Sequence, residues 1–159
     1  MKKNKFYPLA GTAVFLVDQW IKDYVENNLK MGEKRKLAEK LELRRVHNPG
    51  ICLGVFANKP ERVKKLTEAG TGIVTVTQML TLLGNNHVLK KAGITLAAAG
   101  AWSNLADRYH KDKVVDYIGI KTEKKKLEQV TYNLGDFAIG AGGVLWVLGS
   151  MCKKEGTEL

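Results

Sequence analysis

Charge is missing from four long stretches of this chain, and no other feature restricts its fold as strongly. Phe6–Val17, Ala69–Leu89, Ala92–Ala106 and Phe137–Cys152 contain no Asp, Glu, Lys or Arg and run for 12, 21, 15 and 16 residues. A bilayer core of roughly 30 Å takes about 20 helical residues at about 1.5 Å each. Only the second stretch reaches that length unaided. The others reach it by admitting one carboxylate at an end: Asp18, Asp107 or Asp136. Charged groups near lipid are costly and rare, so three such carboxylates point either to function or to a bundle that lives in water.

Composition narrows the classes but does not choose between those two. The 159 residues suit one domain, taken here as residues 1–159. Two cysteines cannot build a disulfide framework, and 45% hydrophobic residues are too many for a disordered chain. A mean hydropathy of −0.20 is low for a chain that lives in lipid. The net charge of +10 suits nucleic acid, anionic lipid or an acidic partner. The basic patches lack interleaved aromatics and no nucleic-acid module is present, so anionic headgroups come first and no nucleic acid is expected.

The pattern predicts helices over 6–28, 61–85, 89–107 and 134–152, with a β-containing segment over 36–58. In that segment Lys40–Val46 alternates in part, and Asn48-Pro49-Gly50 reads as a turn. Val114–Ile118 is a second strand-like run, followed by the polar Lys124–Lys126 patch. Gly93, Ala97 and Ala101, and likewise Ala138 and Gly142, put small residues on one face at four-residue spacing. Such seams let helices approach closely in lipid, while the plainer reading is an Ala-rich soluble bundle. Thr67, Thr71, Thr75 and Gln78 line the side of the second helix opposite Ile73, Val76, Leu80 and Leu83, a pattern expected of a water-exposed helix.

The chemistry-bearing residues fall into four clusters. Asp18-Gln19-Trp20-Ile21-Lys22 sets an acid and a base four apart on one helix face. His47-Asn48-Pro49-Gly50 follows, then Ser103-Asn104-Leu105-Ala106-Asp107-Arg108 running on to Val114-Val115-Asp116-Tyr117. The last is Tyr132-Asn133-Leu134-Gly135-Asp136. Two clusters hold an Asn three residues before an Asp. Taken singly each has a plain reading: a surface ion pair for Asp18 and Lys22, a solvent-facing strand residue for Asp116, a helix-start acid for Asp136. His47 with Cys52 lacks the third group of a thiol protease, and no metal spacing is present.

In their order along the chain, these clusters resemble the lipoprotein signal peptidase (signal peptidase II) family of bacterial membrane aspartic peptidases. The resemblance runs from Asp18 to about Trp146. It implies a mainly α fold: a four-helix transmembrane bundle with a small extracytoplasmic β-cradle between helices 1 and 2. It also implies an inner-membrane, multi-pass enzyme that cuts diacylglyceryl-modified prolipoproteins before the lipobox cysteine, with no cofactor and no metal. Asp116 and Asp136 match the catalytic pair; Asn48, Gly50, Asn104, Asp107, Arg108 and Asn133 match positions lining the site, and Asp18 and Lys22 the first-helix motif. Two carboxylates sharing a proton can hydrolyse an amide: the ionised one takes a proton from water while the protonated one hydrogen-bonds the carbonyl. Asn104 and Asn133 can orient these carboxylates without adding charge, and Asp107 with Arg108 reads as a structural ion pair.

Departures from the family pattern are Ser103 where Gly is usual, Gly135 where Ala is usual, and Leu53 where Phe is usual. The lysines before the first helix predict cytoplasmic termini, yet only 7 of the 26 basic residues fall on inferred inner segments. The alternative function is a non-catalytic or water-soluble helical bundle keeping this fold; a third is a basic protein lying on anionic membranes.

Overall fold

The computed structural model describes residues 2–51, 55–122 and 130–152. A 3-10 turn over Lys2–Lys5 leads into α1 (Phe6–Asn28), followed by β1 (Lys34–Lys36), β2 (Leu41–Asn48) and α2 (Pro60–Leu83). Then come α3 (Val88–Lys111), β3 (Val114–Ile120), β4 (Thr131–Tyr132) and α4 (Leu134–Met151). Cys52, Leu53 and the Lys124–Lys126 patch lie outside the described residues.

The three other helices all pack on α3. Its closest neighbour is α4, and the small-residue seams explain why. A Cβ on Gly142 would sit 2.5 Å from the backbone nitrogen of Ala97 and 2.6 Å from the carbonyl of Gly93. Backbone therefore meets backbone, and only glycine fits. Helix ends follow local chemistry. Pro60 opens α2 at its first turn, where the missing N–H costs nothing. Helix α3 runs on past the apolar stretch to Lys111: its last turn carries Arg108, His110 and Lys111 against the negative end of the dipole, and Asp112 turns left-handed at φ 57°.

The sheet is antiparallel in the order β1-β2-β3-β4. It is not built only from the chain between the first two helices: β3 and β4 come from the α3–α4 connection. A lone β1–β2 hairpin would be marginal in water, and β3 supplies the third strand that stabilises it. Val46 pairs with Asp116 and Asn48 with Val114, after a register irregularity between Leu43 and Val46. Val25, Val115 and Tyr117 form a buried cluster that ties α1 to this sheet.

Helix α2 reverses the expectation of a water-exposed face. Thr71 is buried, and Thr67 and Thr75 donate to the carbonyls of Val63 and Thr71 at 2.8 and 2.7 Å. Gln78 faces Thr95, and the indole of Trp102 donates to Thr75 at 3.0 Å. Ile73 and Leu83, on the opposite side, are 68% and 85% exposed. The polar face points in and the apolar face out. One helix among the described residues, Leu134–Met151, is long and apolar enough to cross a membrane, with mean hydropathy 1.4.

Candidate active site

Asp116 is held on β3, buried to 3% exposure, and Asp136 stands half-buried in the first turn of α4. Asn133 connects them. It is fully buried and caps α4: its Oδ1 accepts from the Asp136 amide at 2.8 Å, and Asp136 Oδ2 accepts in return from the Asn133 amide at 3.1 Å. This reciprocal capping box explains the Asn-x-x-Asp spacing. The remaining group of the Asn133 side chain, Nδ2, donates to Asp116 Oδ1 at 2.7 Å.

Two further carboxamides complete the surround. Asn48, at the end of β2, donates to Asp116 Oδ2 at 3.1 Å; its own oxygen accepts from the Gly50 amide at 3.0 Å. Asn104, near the end of α3, donates to Asp136 Oδ1 at 2.9 Å. Burial pushes the Asp116 carboxyl up to about 7, and the nearby charge of Asp136 adds to this; the Asn133 and Asn48 donors and the Lys22 charge oppose it.

Behind these groups lies an ionic cluster. Asp18 and Lys22 are paired at 2.8 Å with both side chains fully buried, so this is not a surface pair. Lys22 also lies 3.1 Å from Asp107, itself fully buried. Asp107 accepts from the Val115 amide at 3.1 Å, fixing β3 against α3. The expected pairing of Asp107 with Arg108 gives way to a division of labour. Asp107 takes Lys22, while Arg108, one residue on and facing another way round the helix, donates to the Gly50 carbonyl at 2.7 Å. That bond anchors the turn carrying Asn48.

The structure thus brings together all ten of the expected site residues. Three more residues of the same clusters enter: Gln19, whose amide donates to Ser103 Oγ at 2.8 Å and Asp107 Oδ1 at 3.3 Å, Tyr117 and Ser103. Tyr117 donates to Asp18 Oδ1 at 2.8 Å and accepts from the Leu134 amide at 3.0 Å, joining α1 to the start of α4. Burial first and the Asp18 charge second raise its phenol further, so it stays a donor. Ser103 is fully buried and donates to Asp18 Oδ2 at 2.6 Å. The departure from glycine at that position was the signal that it had a contact of its own. Among the described residues, no group of three or more His, Cys, Asp or Glu is placed to hold a metal ion. His47 bonds Glu26 at 2.9 Å, away from this centre.

The fold is that of a bacterial membrane enzyme. A structure of such an enzyme solved by the in meso method at 2.3 Å superposes with a TM-score of 0.79 at 21% identity, covering 98% of this chain and 95% of its own. A second, at 1.9 Å, gives 0.77 at 20% identity over 94% and 95%. The model of the signal peptidase (SPase) II family matches residues 11–152, and the chain belongs to that family of proteases. Among its relatives, the lipoprotein signal peptidase of Mesorhizobium japonicum is 33% identical over 89% of this chain and 82% of that protein. That of Moorella thermoacetica is 26% identical over 94% and 97%.

Proposed function

We propose that this chain is an integral membrane aspartic endopeptidase that removes signal peptides from bacterial prolipoproteins, cutting before the diacylglyceryl-modified cysteine, with Asp116 and Asp136 as its catalytic pair. The observation that carries the reading is Asn133, one buried side chain bonded to both acidic residues. Two carboxylates held this way, with amide donors around them, favour a state with one shared proton. The ionised member takes a proton from water as the water oxygen bonds to the scissile carbonyl carbon. The protonated member hydrogen-bonds the carbonyl oxygen. Collapse of the tetrahedral adduct passes a proton to the departing amine and returns the pair to its starting state. The titration belongs to the pair, so the two roles are assigned jointly.

In this reading Asn48, Asn104 and Asn133 aim the carboxylates, and Gly50 with Arg108 holds the Asn48 turn. Asp18, Lys22 and Asp107 form the buried frame behind them. All four helices span the inner membrane with both termini cytoplasmic, which puts the sheet and the acidic pair at the extracytoplasmic side, where a translocated substrate arrives. Support comes from α2, whose threonines face the bundle while Ile73 and Leu83 face out. A water-soluble bundle would place them the other way round. The basic residues of the outer segments then meet anionic lipid headgroups.

The test is specificity of cleavage by purified protein in detergent. Mass spectrometry should find a diacylglyceryl-modified precursor cut directly before the modified cysteine, and the unlipidated precursor left whole. No cut in either would favour a non-catalytic protein of the same fold.

A further inference from the structure

Three asparagine side chains donate to the two carboxylates, and in each the oxygen is held by a separate donor. A carboxamide presents an acceptor on one side and a donor on the other, so fixing the oxygen fixes what the nitrogen offers. For Asn48 the holder is the Gly50 amide at 3.0 Å, and for Asn133 the Asp136 amide at 2.8 Å. Both belong to backbone that the turn and the helix cap set in place. For Asn104 the holder is a side chain: Lys22 Nζ, 3.0 Å from Asn104 Oδ1.

We infer that Lys22 is a positioning residue of the proposed peptidase centre, its buried ammonium locking the Asn104 carboxamide in the orientation that donates to Asp136. An ammonium has donors only, so it admits the amide oxygen and turns away the amide nitrogen. Without it the amide is free to rotate and present its oxygen to Asp136, where a carboxylate would repel it. Lys22 is well held for this task. Its nitrogen lies 2.8 Å from Asp18, 3.1 Å from Asp107 and 3.2 Å from Ser103 Oγ, with the side chain fully buried. Ser103 precedes Asn104 on α3, so the same ammonium contacts two successive residues and fixes the helix rotation there. The other charged or titratable groups around this point are Lys111, 3.6 Å from Asp107, and Tyr117 on Asp18.

This inference rests on the peptidase reading and is separable from it by a double-mutant cycle. kcat and KM are measured on a lipidated precursor for wild type, Lys22→Met, Asn104→Ala and the double variant, with Asp116→Asn as the control for the reading itself. Positioning predicts that Lys22→Met lowers kcat roughly 10- to 100-fold, the scale lost when the partners of metal ligands are removed, with KM within about twofold. The double variant should be no slower than Asn104→Ala alone, because the lysine acts through that side chain. Losses that multiply, or an unchanged kcat in Lys22→Met, would overturn the inference while leaving the peptidase reading intact. An active Asp116→Asn would instead overturn the reading. Removing Lys22 strands two buried carboxylates, so the cycle is repeated on Asp18→Asn, where Lys22→Met leaves the cluster's net charge as in wild type. The same non-additivity is expected there.

Discussion

Asn133 and Asp116 are joined by a hydrogen bond of 2.7 Å, and the same asparagine caps the helix that carries Asp136. Local helix formation and the spacing of the two acids are therefore one event: the first turn of α4 cannot fray without releasing Asp116. Replacing Asn133 by Ala should cost about 1 kcal/mol from the cap, and about a further 1–3 kcal/mol because Asp116 Oδ1 loses its donor while Asn48 still holds Oδ2. Thermal unfolding in detergent measures the sum of the two, and precursor cleavage should fall far more than stability does.

The raised Asp116 carboxyl makes stability depend on pH with a definite sign. An unfolded aspartate releases its proton near the ordinary 3.8, whereas folded Asp116 keeps it up to about 7. Between these values the folded chain binds more protons than the unfolded one, so stability falls as pH rises through that window. Protein at pH 8 should be less stable than protein at pH 5.5 by about 2 kcal/mol, and so melt at a lower temperature. In Asp116→Asn, that part of the slope should disappear.

Ser103 and Gly135 flank the same oxygen. The serine hydroxyl donates to Asp18 Oδ2 at 2.6 Å, and a Cβ on Gly135 would lie 3.0 Å from that atom and 2.9 Å from Asn133 Oδ1. Gly135→Ala should therefore slow cleavage and lower the melting temperature by crowding both. Adding Ser103→Gly, which frees Asp18 to move, should recover part of the loss. Additive losses in the double variant would contradict this coupling.

The α3–α4 contact leaves no room for a side chain. Gly142→Leu should destabilise by about 3 kcal/mol or more, since a Cβ there would meet the backbone of Ala97 and Gly93. Gly140, whose Cβ position is open, should accept Ala with little change in melting temperature.

The parts of this molecule that repeat locally were legible in its sequence. Charge-free stretches marked the helices, although Ala69–Leu89 runs across the α2–α3 turn; small residues four apart gave the α3–α4 seam, and Asn133 with Asp136 carried the α4 cap in a four-residue motif. What escaped was decided between distant residues. Taken singly, Lys22 and Asp18 have the plain reading of an i,i+4 surface pair; only the resemblance puts them at the site, because their burial depends on Asp107 and Ser103, more than 80 positions away. β1 is Lys-Arg-Lys, exposed throughout, and an edge strand of that kind has no alternation to detect. The pairing of β2 with β3 could not be foreseen from either strand, since it joins two connections that flank the helical hairpin α2–α3 in the chain and meet only at its open end. The threonine face of α2 fits the pattern of a water-exposed helix, and packing against α3 inverts it.

The most direct measurement is the rate at which purified Asp116→Asn and Asp136→Asn process a lipidated prolipoprotein, each compared with wild type under single-turnover conditions. Both substitutions keep size and hydrogen-bonding capacity while removing the ability to exchange a proton. Each rate should drop roughly a thousandfold or more with the fold intact by thermal unfolding. Wild-type processing by either variant would contradict the assignment of Asp116 and Asp136 as the catalytic pair.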